Sequence, residues 1–166
     1  MLIVRATKKL RDRVGGQSLK EGDEPTTVLG QWYATALFWQ PQVALLVNEP
    51  TLLPVLMPLA PAATLLIRFP DHLATVLAAH GVQETFINEE ARRMKRGNRV
   101  GKTANRSVVG IMNEFSHLAE AYRGRTEAPD LLEMALRLAA TPCSPLNRRH
   151  VSPDRELHAH LSRAQG

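Results

Sequence analysis

The feature that most constrains this chain is the uncharged run PTLLPVLMPLAPAATLLI, from Pro50 to Ile67. Its length and apolarity approach those of a membrane-spanning helix. Pro50, Pro54, Pro58 and Pro61 argue against that helix, because each removes an amide donor and clashes with the carbonyl one turn earlier. A buried strand followed by a proline-rich turn satisfies the same residues. VALLVN, just upstream, reads as a second buried strand between the turn signals QPQ and EPT. Before it, VLGQWYATALFW holds Trp32, Tyr33, Phe38 and Trp39, and this enrichment favours a strand, although Ala34 and Ala36 leave a helix open. Pro54 would be tolerated only at a sheet edge or a bulge. Together the three runs predict a small antiparallel meander.

Around the meander, LIVRA reads as an N-terminal strand and TKKLRDRVGG as a helix that Thr7 can cap and Gly15 can end. Residues 15–27 read as a mobile loop rich in glycine and charge. From residue 62 the spacing turns helical: Leu66, Phe69, Leu73, Val76, Leu77 and His80 recur three and four apart, with Pro70 as a kink or restart and Gly81 as a stop. FINEEARRMKRG reads as a charged helix with a thin apolar stripe. Val108, Met112, Phe115, Ala119 and Tyr122 share one face of a further helix, opposite Asn113, His117 and Glu120. Asp130 with Glu133, and Ser152 with Pro153 and Asp154, mark two more helix starts, and Arg155 helps fasten the last. Strands precede helices, so the expected class is α+β, with a small antiparallel sheet (N-terminal strand plus meander) packed by C-terminal helices. A chain of 166 residues fits one domain spanning residues 1–166.

Charge is distributed unevenly. Arg92, Arg93, Lys95, Arg96, Arg99, Lys102 and Arg106 give +7 within residues 92–106 with no acid among them, whereas the whole chain carries +5, leaving −2 elsewhere. We read residues 92–106 as a basic turn leading into a helix N-terminus, where free amides and the helix dipole favour an anion. Arg92, Arg93, Arg96, Arg99, Lys102, Thr103, Asn105 and Arg106 are the candidate anion- or nucleic-acid-binding residues. The competing reading is a solvated connector in which Asn105 or Thr103 merely caps the helix.

Gly101-Lys102-Thr103 invites comparison with a phosphate-binding loop. That loop needs four residues between its glycines, to wrap backbone amides around phosphate, and here only three separate Gly97 from Gly101. It must also follow a strand, whereas the upstream sequence EEARRMKR reads as a charged helix. The four aromatics could stack on bases, but core burial accounts for them better. Asn48 and Thr51 fit an Asx-type turn, with a functional pair as the alternative. His158 and His160 have no metal-ligand spacing and read as terminal surface histidines, and Cys143 has no adjacent base to activate it. The single cysteine excludes an internal disulfide, no metal or cofactor is called for, and the N-terminus lacks the apolar core of a secretory signal, so the cytoplasm is the expected compartment.

The ordered set GQWYATALFW, VALLVNEPTLLPVLMPL, KTANRSVVGIMNEF and SPLNRRHVSPDREL resembles the bacterial domain-of-unknown-function family DUF6933, itself similar to the N-terminal part of plasmid pRiA4b ORF-3-like proteins. The likeness runs from Leu2 to Leu157. It implies an α+β domain, hints at mobile-element biology and supplies no catalytic residues. Lys102, Thr103, Asn105, Arg106 and Asn113 match its pattern as one polar cluster at a helix start. Three functions stay open. The leading one is binding of nucleic acid or another polyanion through residues 92–106. A protein-interaction or antitoxin-like module using Pro50–Ile67 as its contact surface is the second. The third is a small enzyme acting on a phosphate-containing ligand through Lys102 and Arg106, with His117 or Glu114 moving the proton.

Overall fold

The computed structural model describes residues 1–126, 128–143 and 151–165; the SPLNRRH part of the last family motif lies outside them. At its centre is a six-stranded sheet built from β1 (Leu2–Ala6), β2 (Gln17–Ser18), β3 (Trp32–Leu37), β4 (Val43–Asn48), β5 (Pro54–Pro58) and β6 (Asn98–Lys102), in the order β2-β6-β1-β3-β4-β5. The predicted meander forms: Trp32 to Leu37 pair antiparallel with Asn48 to Val43, and Val43 to Val47 with Pro58 to Pro54. β5 is an edge strand, which is where Pro54 and Pro58 do no harm.

The sheet as a whole is mixed, which corrects the expectation of a purely antiparallel one. β1 pairs parallel with β3 in the register Val4 to Trp32, and parallel with β6 from Leu2–Asn98 to Ala6–Lys102. β2, inside the segment expected to be a loop, pairs parallel with β6. Parallel neighbours need long crossovers, and no local turn signal announces them.

Helices α1 (Lys8–Arg11), α2 (Leu65–Ala79), α3 (Glu84–Lys95), α4 (Arg106–Arg123), α5 (Leu131–Ala139) and α6 (Pro153–Gln165) complete the fold. Successive strand residues face opposite ways, so the sheet feeds two cores. On one face Leu2, Val4, Trp32, Ala34, Leu46, Val55 and Met57 meet Phe69 and Leu73 of α2, Met94 of α3 and Leu157 of α6. There the rings of Trp32 and Phe69 meet edge-on, with centroids 5.0 Å apart. On the other face Tyr33, Leu37, Leu45, Val47 and Leu56 meet Val108, Met112 and Phe115 of α4 and Met134 and Leu138 of α5. Burial on both faces is why VALLVN shows no polar alternation. Three of the four clustered aromatics are core, as expected, while Phe38 is 57% exposed.

α2 runs through Pro70, and Gly81, at φ +78°, takes the left-handed conformation that ends it. Asp130 caps α5 through the Glu133 amide, as its spacing predicts. Asn48 is fully buried at the β4–β5 turn. Its Nδ2 donates to the carbonyls of Leu29 (2.8 Å) and Gln31 (3.2 Å), and its Oδ1 accepts from Thr51 Oγ1 (2.7 Å) and the Thr51 amide (3.2 Å). Every polar atom of that side chain is engaged within the fold, in keeping with the turn reading. None of the described helices is long and apolar enough to cross a membrane.

Candidate anion-binding site

The segment expected to be one basic turn consists of three elements: the end of α3, strand β6, and a three-residue link into α4. Strand geometry separates its charges. Arg99 and Lys102 lie roughly 10 Å apart along β6 and point to opposite faces of the sheet.

Carboxylates from outside the segment cover part of it. Glu89 binds Arg92 (2.6 Å) and Arg93 (3.2 Å), three and four residues on along α3. Hydrogen bonds from Arg92, and then from Arg93, hold the Glu89 carboxyl down at about 2. Asp71 of α2 reaches Lys95 at 3.3 Å, and Asp23 of the 15–27 segment reaches Arg99 at 3.4 Å. Among the described residues no carboxylate pairs with Arg96, Lys102 or Arg106. Arg96 lies near the N-terminus, whose ammonium donates to the Arg93 carbonyl at 2.9 Å and is pushed to a lower pKa by burial first and by Arg96 second.

Lys102 and Arg106 stand at the other end, where the parallel strands β1, β3 and β6 all finish. Ala6 is the partner of Lys102 across β1 and β6, about 4.8 Å away, so Lys8 and Lys9 of α1 follow directly beside it. α1 packs against β3 and β6, and Lys9 Nζ sits 5.3 Å from the centroid of the exposed Phe38 ring at the end of β3. Arg5 ties this edge together, donating from Nη1 to the Lys102 carbonyl (2.9 Å) and from Nε to Gln31 Oε1 (2.6 Å). Lys8, Lys9, Lys102 and Arg106 are all exposed. Lys8 and Lys9 were not among the sequence candidates, because only the β1–β6 pairing brings them to residue 102, whereas Phe38 was one of the four aromatics considered for stacking and is the one that is exposed.

The helix start is not an open cradle of amides. Asn105 Oδ1 accepts from the amides of Ser107 (3.0 Å) and Val108 (3.4 Å), and the Asn105 amide itself donates to Tyr33 Oη (2.9 Å). What α4 offers an anion is the Arg106 side chain. Gly101-Lys102-Thr103 does stand at a strand-to-helix junction, contrary to the sequence expectation. Gly101 and Lys102 nevertheless belong to the β6 ladder, and a Cβ on Gly101 would lie 2.6 Å from Leu19 Cδ2. The backbone there pairs with strands and has no phosphate-wrapping loop to offer.

The other polar candidates lie elsewhere. Asn113, Glu114 and His117 are exposed on α4, about 10, 12 and 16 Å along the helix from Arg106. Cys143 is buried, and burial pushes its thiol up to about 12. His160 is half-buried and its Nε2 meets the Val28 carbonyl at 3.0 Å, so the surface reading does not hold for it; His158 is exposed. Beside His160, the buried Glu90 accepts from the amides of Val28 (2.9 Å) and Leu29 (2.8 Å). Burial raises its pKa and those two hydrogen bonds oppose the rise. Sequence gave no sign of this carboxylate, since Glu89 and Glu90 differ only in which side of α3 they occupy.

A family model described as "Domain of unknown function (DUF6933)" matches residues 3–156. The chain belongs to the DUF6933 family. No curated protein and no solved structure gives a significant match. Family membership fixes no activity, and the chemistry has to be read from the cationic edge.

Proposed function

We propose that this DUF6933 protein binds nucleic acid through the edge formed by Lys8, Lys9, Lys102 and Arg106, with Phe38 offering a stacking face to an unpaired base. The observation that carries this reading is that four exposed cations, from segments some ninety residues apart, stand at or just after the ends of the paired strands β1 and β6, where none meets a carboxylate among the described residues. Asp12, at the end of α1, pairs with none of them. Arg92, Arg93, Lys95 and Arg99 contribute less, because their charges are already met by Glu89, Asp71 and Asp23. A nucleic-acid partner also accords with the mobile-element biology that the family likeness hints at and with the expected cytoplasmic compartment.

The competing readings find less support. Residues 51–57, Leu59, Leu65 and Leu66 are buried, so the Pro50–Ile67 run has been used for core, and Ile67 is its one large exposed apolar side chain. A phosphate-processing enzyme needs Lys102 and Arg106 to converge with Glu114 or His117, and α4 holds these apart.

Fluorescence anisotropy with labelled single-stranded and duplex oligonucleotides tests the proposal. Binding should weaken as salt rises, and the single strand should be preferred. Phe38→Ala should remove that preference while leaving duplex binding unchanged. Absence of binding to either oligonucleotide at low salt would overturn the proposal.

A further inference from the structure

We propose that a second site, a cavity of about 220 Å³ between the β3–β4 turn and the start of α5, binds a small aromatic carboxylate. It is lined by Trp39, Pro41, Pro58, Pro129 and Leu131, with Arg123 on its wall. The prolines and the indole present flat apolar surfaces, which suit a planar ring better than a branched chain. A cavity of roughly 150 Å³ accepts benzene, so this one takes a single ring with a short substituent.

Arg123 supplies the charge. Its guanidinium lies 4.7 Å from the centroid of the Trp39 ring, and one nitrogen, Nη2, bonds to Glu120 at 3.0 Å. Its Nε is buried and has no acceptor among the described residues. Glu120 is half exposed, and so holds the arginine only weakly. The same arginine lines an adjoining polar cavity of about 220 Å³ with Arg137, whose guanidinium lies 3.9 Å from the Tyr122 ring, and with the carboxylates Asp130 and Glu133. The apolar floor thus opens beside an incompletely satisfied cation, which calls for a ligand joining a ring to a carboxylate. A neutral ring would leave Arg123 with Glu120 as its one carboxylate among the described residues, and a cationic ring would be repelled.

The two tryptophans provide an internal control, because Trp39 lines the cavity whereas Trp32 is fully buried in the opposite core. In a nitrogen–proton correlation spectrum, benzoate and phenylacetate should shift the Trp39 indole resonance with a Kd near about 1 mM, the affinity expected of ligands this small. Trp32 should stay in place, and benzamide and benzylamine should bind at least about tenfold more weakly. Arg123→Gln should weaken benzoate by about tenfold and erase its advantage over benzamide. Leu131→Phe, which fills the cavity, should abolish binding of both. The wild-type comparison of benzoate with benzamide needs no variant to fold. Equal shifts from the two, or no Trp39 shift from either carboxylate at about tenfold above that Kd, would overturn the assignment.

Discussion

Asn48→Asp changes one atom type and should still be among the most damaging substitutions in the protein. Asn48 is 0% exposed, and its Nδ2 serves the carbonyls of Leu29 and Gln31. An aspartate turns that donor into an acceptor facing two acceptors. The Gln31 carbonyl keeps a second donor, the Glu49 amide at 3.0 Å, so its loss is partial, while the Leu29 carbonyl loses its side-chain donor. One orphaned buried carbonyl costs about 1–3 kcal/mol and the weakened second bond about 0.5–1 kcal/mol. An uncompensated buried charge costs about 3–5 kcal/mol with its neighbours' lost hydrogen bonds included, and that figure, not its sum with those two costs, is the total expected at neutral pH. For a chain of this size that corresponds to a fall in Tm of roughly 6–20 °C. Burial favours the neutral acid, so the folded pKa at position 48 is raised and the variant's deficit grows as pH rises through it. Differential scanning fluorimetry at pH 4.5 and 7.0 reads both the size and the sign. A Tm within about 2 °C of wild type at pH 7 would refute the claim that this network fixes the turn.

Glu90 carries a second pH signature. Its folded pKa is raised from 4.5 by burial, so the stability it contributes is present below that value and is lost as pH rises through the folded pKa. Relative to wild type, Glu90→Gln should therefore gain stability between pH 4.5 and 7, read as a shift of the urea midpoint in its favour. Cys143, with its thiol at about 12 and 1% exposed, should resist Ellman's reagent at pH 8 in the native protein and react fully in denaturant. Gly101→Ala should destabilise by about 1–3 kcal/mol, because the added methyl meets Leu19. It should also speed proteolysis within residues 15–27, where Leu19 would be displaced.

Local chemistry was legible in this sequence, and long-range pairing was not. VALLVN, the edge position of Pro54, the Asp130 cap and the apolar face of α4 follow from patterns confined to a few residues. β6 does not: NRVGK has one large apolar residue, and it is a strand because β1 and β2 flank it with backbone partners. The same limit governs the site. The Glu89 pairs lie three and four residues apart along one helix and are visible in the sequence, whereas Asp71 and Asp23 reach Lys95 and Arg99 from distant segments. Lys8 and Lys9 join Lys102 only through a register that spans most of the chain.

The central claim is that uncovered cations, and not the paired ones, attract the partner. Its most direct test is the salt dependence of oligonucleotide affinity in two variants, one replacing Lys8, Lys9, Lys102 and Arg106 by alanine and the other replacing Arg92, Arg93, Lys95 and Arg99. The first should flatten the slope of log K against log salt by about 0.7 for each single-strand phosphate contact removed, and the second should leave it near that of wild type. Equal slopes for wild type and the first variant, or a loss confined to the second, would contradict the account.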